Sequence, residues 1–559
     1  MSHIITTPGE LIAIRPAWLE LWTEDSLSTV FNHPDWHLSF IHAMDHKPFR
    51  AIVSKDSLRL RYIWLLQGNE RRMGFLSEPL ADYARPSIAK GVDCADAVRG
   101  LLAALRDQRT PLVVLNEFQF DDPLPELIAR TAPEFGYSAN VSDTVACPRM
   151  SRAREPGIFE QKFLGSRKLR RVLSELRKTG DLNYERIANR EQILGHLPAL
   201  FAMHTARWAG TGQTVFLSPR IREFFVALVK TMPEELLYFT RLRQDGKAVA
   251  MDLDFTHGGC LYYYKPAFDV NIAERSPGLA HMCQLGLDIM QQGFHTLDFT
   301  RGDEPYKLRF ANEIVRNRRV MIYRGYASRA TFQIAESLRR GVIRDPVRRQ
   351  RLKYTVLTAR AAVAKYGIFG LARRTIDKAY KKRIRSRSLL LFKIAKPSGP
   401  DEAGATDVLV RRGSHHDILA VTDLVDHVDA GRHVKTLWSR LGLGDELYLG
   451  YSNGALVHAA WVARRERVYA TEIRRELRVG EKTAYIYDCF TAPKARGRGI
   501  YPTVLKHIMR HLFAVDGIDS VAIACPGDNA ASRRGIERAG FTLEDVIRAG
   551  NQPANRSLA

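Results

Sequence analysis

Cysteine is scarce in this chain of 559 residues. The six thiols, Cys94, Cys147, Cys260, Cys283, Cys489 and Cys525, are scattered, with no CxxC pair and no matching histidine spacing. That scatter argues against a disulfide framework and a structural zinc site, and no metal is expected. No run of about 18 uncharged apolar residues occurs, so a membrane-spanning helix is not expected. The opening MSHIITTPGELIAIRPAWLELW lacks a basic stretch followed by an unbroken apolar core. It is read as neither secretory signal nor anchor, which predicts a cytoplasmic protein, peripheral at most at the inner membrane. Acidic residues are also under-represented, 61 against 84 Lys and Arg, for a formal charge of +23. Such a balance favours anionic partners, from phosphate-bearing cofactors to RNA, lipid headgroups and acidic glycans.

What is present is ordinary globular material: 45% hydrophobic and 26% charged residues exclude wholesale disorder. At roughly 150 residues per domain the length suggests three or four domains. The surplus charge is concentrated, because Arg339 to Lys393 holds eighteen Lys and Arg against only Asp345 and Asp377. Helical spacing there predicts a basic helical connector over 331–396, followed by a flexible linker over 397–404 in KPSGPDEAGA. Upstream, strand-forming runs such as LVVLNEF (112–118), AVAMDLDFT (248–256) and CLYYYKP (260–266) alternate with helical stretches. Downstream, ELYLGYS, ALVHAAWVA, AYIYDCFTA and SVAIACP do the same. The fold class is therefore α/β (α+β), with mixed sheets flanked by helices.

The most chemically specific stretch is AYIYDCFTAPKARGRGIYPTVLKHIMRHLF. A strand ends at Thr491, the loop Arg496-Gly497-Arg498-Gly499 follows, and a helix opens with Ile500 and Tyr501. This order aims backbone N–H groups and a positive helix end at one spot, which suits a pyrophosphate. The glycines permit close backbone approach, and the arginines add charge. The stretch resembles the acetyl-CoA signature of the GNAT acetyltransferases, Arg/Gln-x-x-Gly-x-Gly/Ala, with Tyr501 where Gly or Ala is usual. NAASRRGIERAGF, headed by Asn529, echoes a second motif of that family. The resemblance implies that Cys489, Phe490 and Thr491 hold the thioester and pantetheine of acetyl-CoA or another acyl-CoA. The late tyrosine acid of the family is Ile536 here. Asp488, on the same strand, is the candidate base.

A second constellation, Asp298-Phe299-Thr300-Arg301-Gly302-Asp303-Glu304-Pro305-Tyr306-Lys307, packs charges and aromatics behind a short strand. Read from chemistry, Arg301 and Lys307 suit an anionic substrate, Asp303 or Glu304 a base, and Tyr306 a proton donor. A salt-bridge network tying strand to helix is the bland alternative. With Ser276-Pro277-Gly278 upstream, the segment resembles the CelD-like acetyltransferases, related to the Fem-type peptidyltransferases, over residues 1–330. Three GNAT-like units are thus expected, at 1–150, 151–330 and 405–559.

The leading expectation is an acyl-CoA-dependent acyltransferase, an N-acetyltransferase above all, acting on an amino or hydroxyl group of a sugar, polysaccharide or cell-envelope precursor. Two alternatives stand beside it. One is Fem-like transfer from aminoacyl-tRNA, gripped by the basic helices, although Arg167 to Lys178 lacks interleaved aromatics and reads better as a solvated face. The other is a non-catalytic CoA module that docks on anionic membrane through Ile368, Phe369, Leu389 to Phe392 and the neighbouring cations.

Overall fold

The computed structural model describes residues 2–325, 388–397 and 407–548, apart from 45–47, 57–58, 79, 210–213, 428, 471–472, 474 and 515–516. The chain divides into two compact units, one of residues 1–200 and 215–349, the other of 201–214 and 350–559.

In the first unit, alternation and β-branched content set thirteen strands: β1 (Ser2–Ile5), β2 (Phe49–Asp56), β3 (Arg59–Asn69), β4 (Arg72–Phe75), β5 (Ser87–Ile88), β6 (Leu112–Phe118), β7 (Ser138–Ser151), β8 (Leu182–Ile187), β9 (Leu237–Gln244), β10 (Lys247–His257), β11 (Cys260–Phe268), β12 (Thr296–Asp298) and β13 (Glu313–Tyr323). They form one sheet in the order β1-β2-β3-β4-β6-β13-β7-β12-β11-β10-β9-β8, with β5 on β3. A boundary at residue 150 therefore does not cut the sheet, since β13 returns to lie between β6 and β7.

Amphipathic helices cover the sheet. Cys94–Asp107 is capped by Asp93, whose side chain accepts from Ala95 N, and buries Val98, Leu101, Leu102 and Leu105. Arg167–Lys178 buries Leu169, Val172, Leu173 and Leu176 and leaves its cations exposed, the solvated face expected. Emptying one of the fully buried positions, Leu101→Ala for instance, costs about 2–5 kcal/mol.

The second unit has a seven-stranded sheet of β14 (Ser388–Ala395), β15 (Val408–Arg412), β16 (Glu446–Ser452), β17 (Ala455–Ala463), β20 (Thr483–Thr491), β21 (Ser520–Pro526) and β22 (Thr542–Arg548), in the order β15-β16-β17-β20-β21-β14-β22. A ribbon of β18 (Arg467–Ala470) and β19 (Arg475–Arg478) stands apart. Here the helical connector needs correction: its last residues are β14, hydrogen-bonded to strands on both sides. Leu389, Leu390, Leu391 and Phe392 are all buried, so they are sheet core and not a membrane-docking face. A strand covered on both faces reads as a continuous apolar run without alternation, which is why its period was not visible. Residues 326–387, the bulk of the predicted connector, lie outside the described residues.

Both sheets contain the same local device. β11 pairs in parallel with β12 from Cys260↔Thr296 to Tyr262↔Asp298, and β20 with β21 from Thr483↔Ser520 to Ile486↔Ile523. Beyond those positions each pair parts. On the other side, β11 carries one residue more than β10 between Tyr262 and Lys265, and β20 one more than β17 between Tyr487 and Phe490. Such a bulge twists the strand and re-aims its side chains. In both units a helix follows, Pro277–Gln291 and Ile500–Phe513, entered through a left-handed residue, Ser276 (φ 55°) and Gly499 (φ 75°).

Candidate functional site

In the second unit, the parting of β20 from β21 opens a wedge with the glycine loop at its mouth. Gly497 and Gly499 have φ of 80° and 75°, and among the described residues nothing lies within 4 Å of where a Cβ would stand. Arg496 to Gly499 are exposed at the start of a 14-residue helix, whose first N–H groups have no intrahelical acceptor. Charge, backbone donors and open space thus fit an anionic diphosphate. Arg496 is held over the loop, its Nε donating to Thr491 O at 3.1 Å. Asn529 has a structural duty, because its side chain accepts from Ser532 N at 3.1 Å and caps Ala530–Arg538.

The wedge interior joins Cys489 of β20, Cys525 of β21 and Tyr501. The Tyr501 ring stacks on His458 with centroids 5.7 Å apart and fills the space beside Gly535, where a Cβ would lie 2.5 Å from it. Its hydroxyl lies 3.4 Å from Ser532 Oγ, one helical turn before the buried Ile536. Burial, with Cys489 adding to it, raises the Tyr501 pKa well above the ordinary value, so the phenol keeps its proton at neutral pH. Burial likewise pushes the Cys489 thiol up to about 12, which makes it a poor nucleophile. Asp488, at the bulge with φ 48°, is half exposed and paired with Arg440 at 2.6 Å. Arg440 also packs over the Trp461 and Tyr487 rings, at 5.2 and 4.9 Å.

His458 and Arg440 escaped the sequence reading. The former is fully buried, its Nδ1 2.8 Å from Thr491 Oγ1, and desolvation lowers its pKa to about 4. Nothing in an alternating strand marks such a histidine.

In the first unit, the constellation at 298–307 lies where β11 and β12 part, and its charges are largely spent inside the protein. Asp298 accepts from Tyr83 Oη at 2.8 Å and pairs with Arg149 at 2.9 Å. Arg301 meets Asp82 at 2.6 Å and Glu117 at 3.3 Å. Lys307, only 5% exposed, donates to Arg301 O at 2.6 Å and pairs with Glu304 at 3.0 Å. Arg301 and Lys307 are thus built into the wall, which is the salt-bridge alternative. Burial opposes the charge of Arg301, but its two carboxylates outweigh burial and raise its pKa. Tyr306 is half-buried against the apolar core, and Asp303 is exposed.

Asp82, Glu117 and Lys265 were missed. Glu117 (φ 67°) and Thr300 (φ 55°) hold left-handed backbone that costs a non-glycine residue about 1–2 kcal/mol, as does Asp488. A charge closing an apolar strand, as in LVVLNEF and CLYYYKP, was the available signal.

Residues 165–308 match the family model described as acetyltransferase (GNAT) domain, and residues 434–541 the one described as acetyltransferase (GNAT) family. No curated protein matches the chain. Among solved structures, FemX shares 12% identity, covering 60% of this chain and 100% of its own, with a TM-score of 0.39. L-PGS from Bacillus licheniformis shares 14%, covering 59% and 95%, with a TM-score of 0.38. The protein yncA from Salmonella typhimurium, solved with its cofactor acetyl-CoA, shares 15%, covering 27% and 99%, with a TM-score of 0.21. The chain thus carries two acetyltransferase (GNAT) regions, at residues 165–308 and 434–541.

Proposed function

We propose that the chain is an acyl-CoA-dependent acyltransferase, with acetyl-CoA the simplest donor and an amino or hydroxyl group of a sugar, polysaccharide or envelope precursor as acceptor. The observation that carries this reading is the Arg496–Gly499 loop, whose left-handed glycines open the start of a long helix beside a parted strand pair. The acceptor class rests on the resemblance of residues 1–330 alone.

When bound, the donor supplies an acyl thioester. The loop amides and Arg496 and Arg498 hold its diphosphate, and the edge of Cys489 to Thr491 receives the pantetheine arm. Arg440 holds one oxygen of Asp488 and so orients the carboxylate; the other takes the proton of the attacking amine or hydroxyl. Tyr501 Oη holds a proton near Ser532, where Ile536 has none to give, and passes it to the departing thiolate. In the first unit the exposed Asp303 is the candidate base, with Glu304 and Tyr306 beside it.

The test is product formation against acetyl-CoA with amino sugars as acceptors. Saturation is expected for the natural protein and for the exposed Lys506→Ala, and loss for Gly499→Glu. Turnover that Gly499→Glu leaves intact would remove this loop from the donor site.

A further inference from the structure

The wedge between β20 and β21 is filled inside, and the side chain that fills it is Tyr501. The two strands pair as far as Ile486↔Ile523; beyond that point, among the described residues, β20 continues only against β17, through to His458↔Thr491. The helix Ile500–Phe513 places the Tyr501 ring at this gap, and the ring is clamped there. It stacks on the fully buried His458 with centroids 5.7 Å apart. On the helix Ala530–Arg538 it lies against Gly535, where a Cβ would stand 2.5 Å from Cδ1 and 3.0 Å from Cε1. Its hydroxyl is 3.4 Å from Ser532 Oγ on the same helix. Together with Cys489 the ring packs on the core cluster that holds Cys525 and Ile536, so side chains close the inner end of the wedge.

We propose that the clamped ring of Tyr501 sets the length of the acyl group that the second unit accepts, admitting acetyl and turning away medium-chain acyl groups. The inference rests on the acyl-CoA reading above. In that reading the thioester lies along Cys489 to Thr491, its sulfur faces Tyr501 Oη, and the nucleophile arrives from the side of the half-exposed Asp488. The remaining substituent of the acyl carbon, its alkyl tail, then turns away from the nucleophile and toward the wedge. A methyl group asks for little space there. Each further methylene needs volume that a ring fixed on His458 and Gly535 does not yield, because a close-packed interior resists added atoms. Alanine at position 501 would leave that volume to the tail, whereas phenylalanine would not.

The test titrates the full chain by calorimetry with CoA, acetyl-CoA, butyryl-CoA and octanoyl-CoA, below the concentration at which octanoyl-CoA forms micelles. In the natural protein acetyl-CoA is expected to bind about as tightly as CoA, and octanoyl-CoA about 10-fold more weakly or worse, with butyryl-CoA between them. In Tyr501→Ala octanoyl-CoA is expected to gain about 10-fold relative to acetyl-CoA, whereas Tyr501→Phe, which keeps the ring and loses only the hydroxyl, keeps the natural order. Retained acetyl-CoA binding shows that Tyr501→Ala is folded; if it is lost, Tyr501→Leu takes its place with the same expectation. Octanoyl-CoA that binds the natural protein as tightly as acetyl-CoA overturns the proposal and leaves the donor site standing. So does an octanoyl-to-acetyl ratio that is the same in the natural protein and in the folded variant. Absence of heat with CoA and all three esters instead removes the acyl-CoA reading itself, and this proposal with it.

Discussion

Asp82 and Arg301 stand 219 positions apart in the chain and meet at 2.6 Å, Oδ1 to Nε. Arg301 follows β12 and Asp82 precedes β5, so the pair ties the two halves of the first unit across their shared sheet. Burial pushes the Asp82 carboxyl up, but Arg301, Lys265 and the hydrogen bonds from Thr300 and Arg301 outweigh it and hold it below its usual 3.8. The native state therefore gains from the ionised form above the unfolded pKa of about 3.9 and loses that gain as pH falls through the lower native value. Asp82→Asn is expected to cost about 3 kcal/mol at pH 7 and to flatten the acid limb of stability below pH 4. Urea denaturation across that range measures both; an unchanged acid limb would show that Asp82 is not ionised in the fold.

His458 is a stability element that only becomes visible when the second unit folds. Its pKa of about 4, lowered by burial from 6.5, means the unfolded chain takes up a proton that the native chain refuses. Stability present above pH 6.5 is thus lost as pH falls toward 4, by about 1.4 kcal/mol per unit. Between pH 6.5 and pH 5, His458→Gln is expected to lose about 2 kcal/mol less than the natural protein, read from denaturation midpoints. Equal losses would mean that His458 is protonated in the fold.

Gly499 separates backbone strain from charge. Alanine there meets no neighbour but holds φ of 75°, so Gly499→Ala is expected to cost about 1–2 kcal/mol in stability and to retain donor binding weakly. Gly499→Glu adds a negative charge where a diphosphate is to sit, and its donor binding is expected to vanish. Comparison of thermal shifts with acetyl-CoA in the two variants checks this; equal shifts would refute the placement.

Tyr501 tests the acid. Tyr501→Phe keeps the ring on His458 and Gly535 but removes the proton held near Ser532. A fall in kcat of about 10²-fold with KM nearly unchanged is expected. A change in KM alone would make Tyr501 a packing residue.

Much of this fold was legible because its strands end in signals that local chemistry dictates. LVVLNEF became β6 residue for residue, and the loop from Arg496 to Gly499 was marked by its glycines, which hold left-handed φ. What escaped depends on pairing across the chain. The return of β13 between β6 and β7 joins the first two expected units in one sheet, and no local pattern announces a partner more than a hundred residues away. β14 was hidden because burial on both faces erased its alternation beside a strongly basic, helical-looking run. The constellation at 298–307 was recognised by its charge density, but which charges are spent is decided by Asp82, Glu117 and Arg149 from distant strands and loops.

The most direct measurement is calorimetric titration of the intact protein with acetyl-CoA. Heat that saturates at one donor per chain, absent in Gly499→Glu and retained in Lys506→Ala, is the expected result. No heat at donor concentrations up to about 1 mM, where even a binding free energy near −4 kcal/mol would register, would contradict the placement of an acyl-CoA in the second unit.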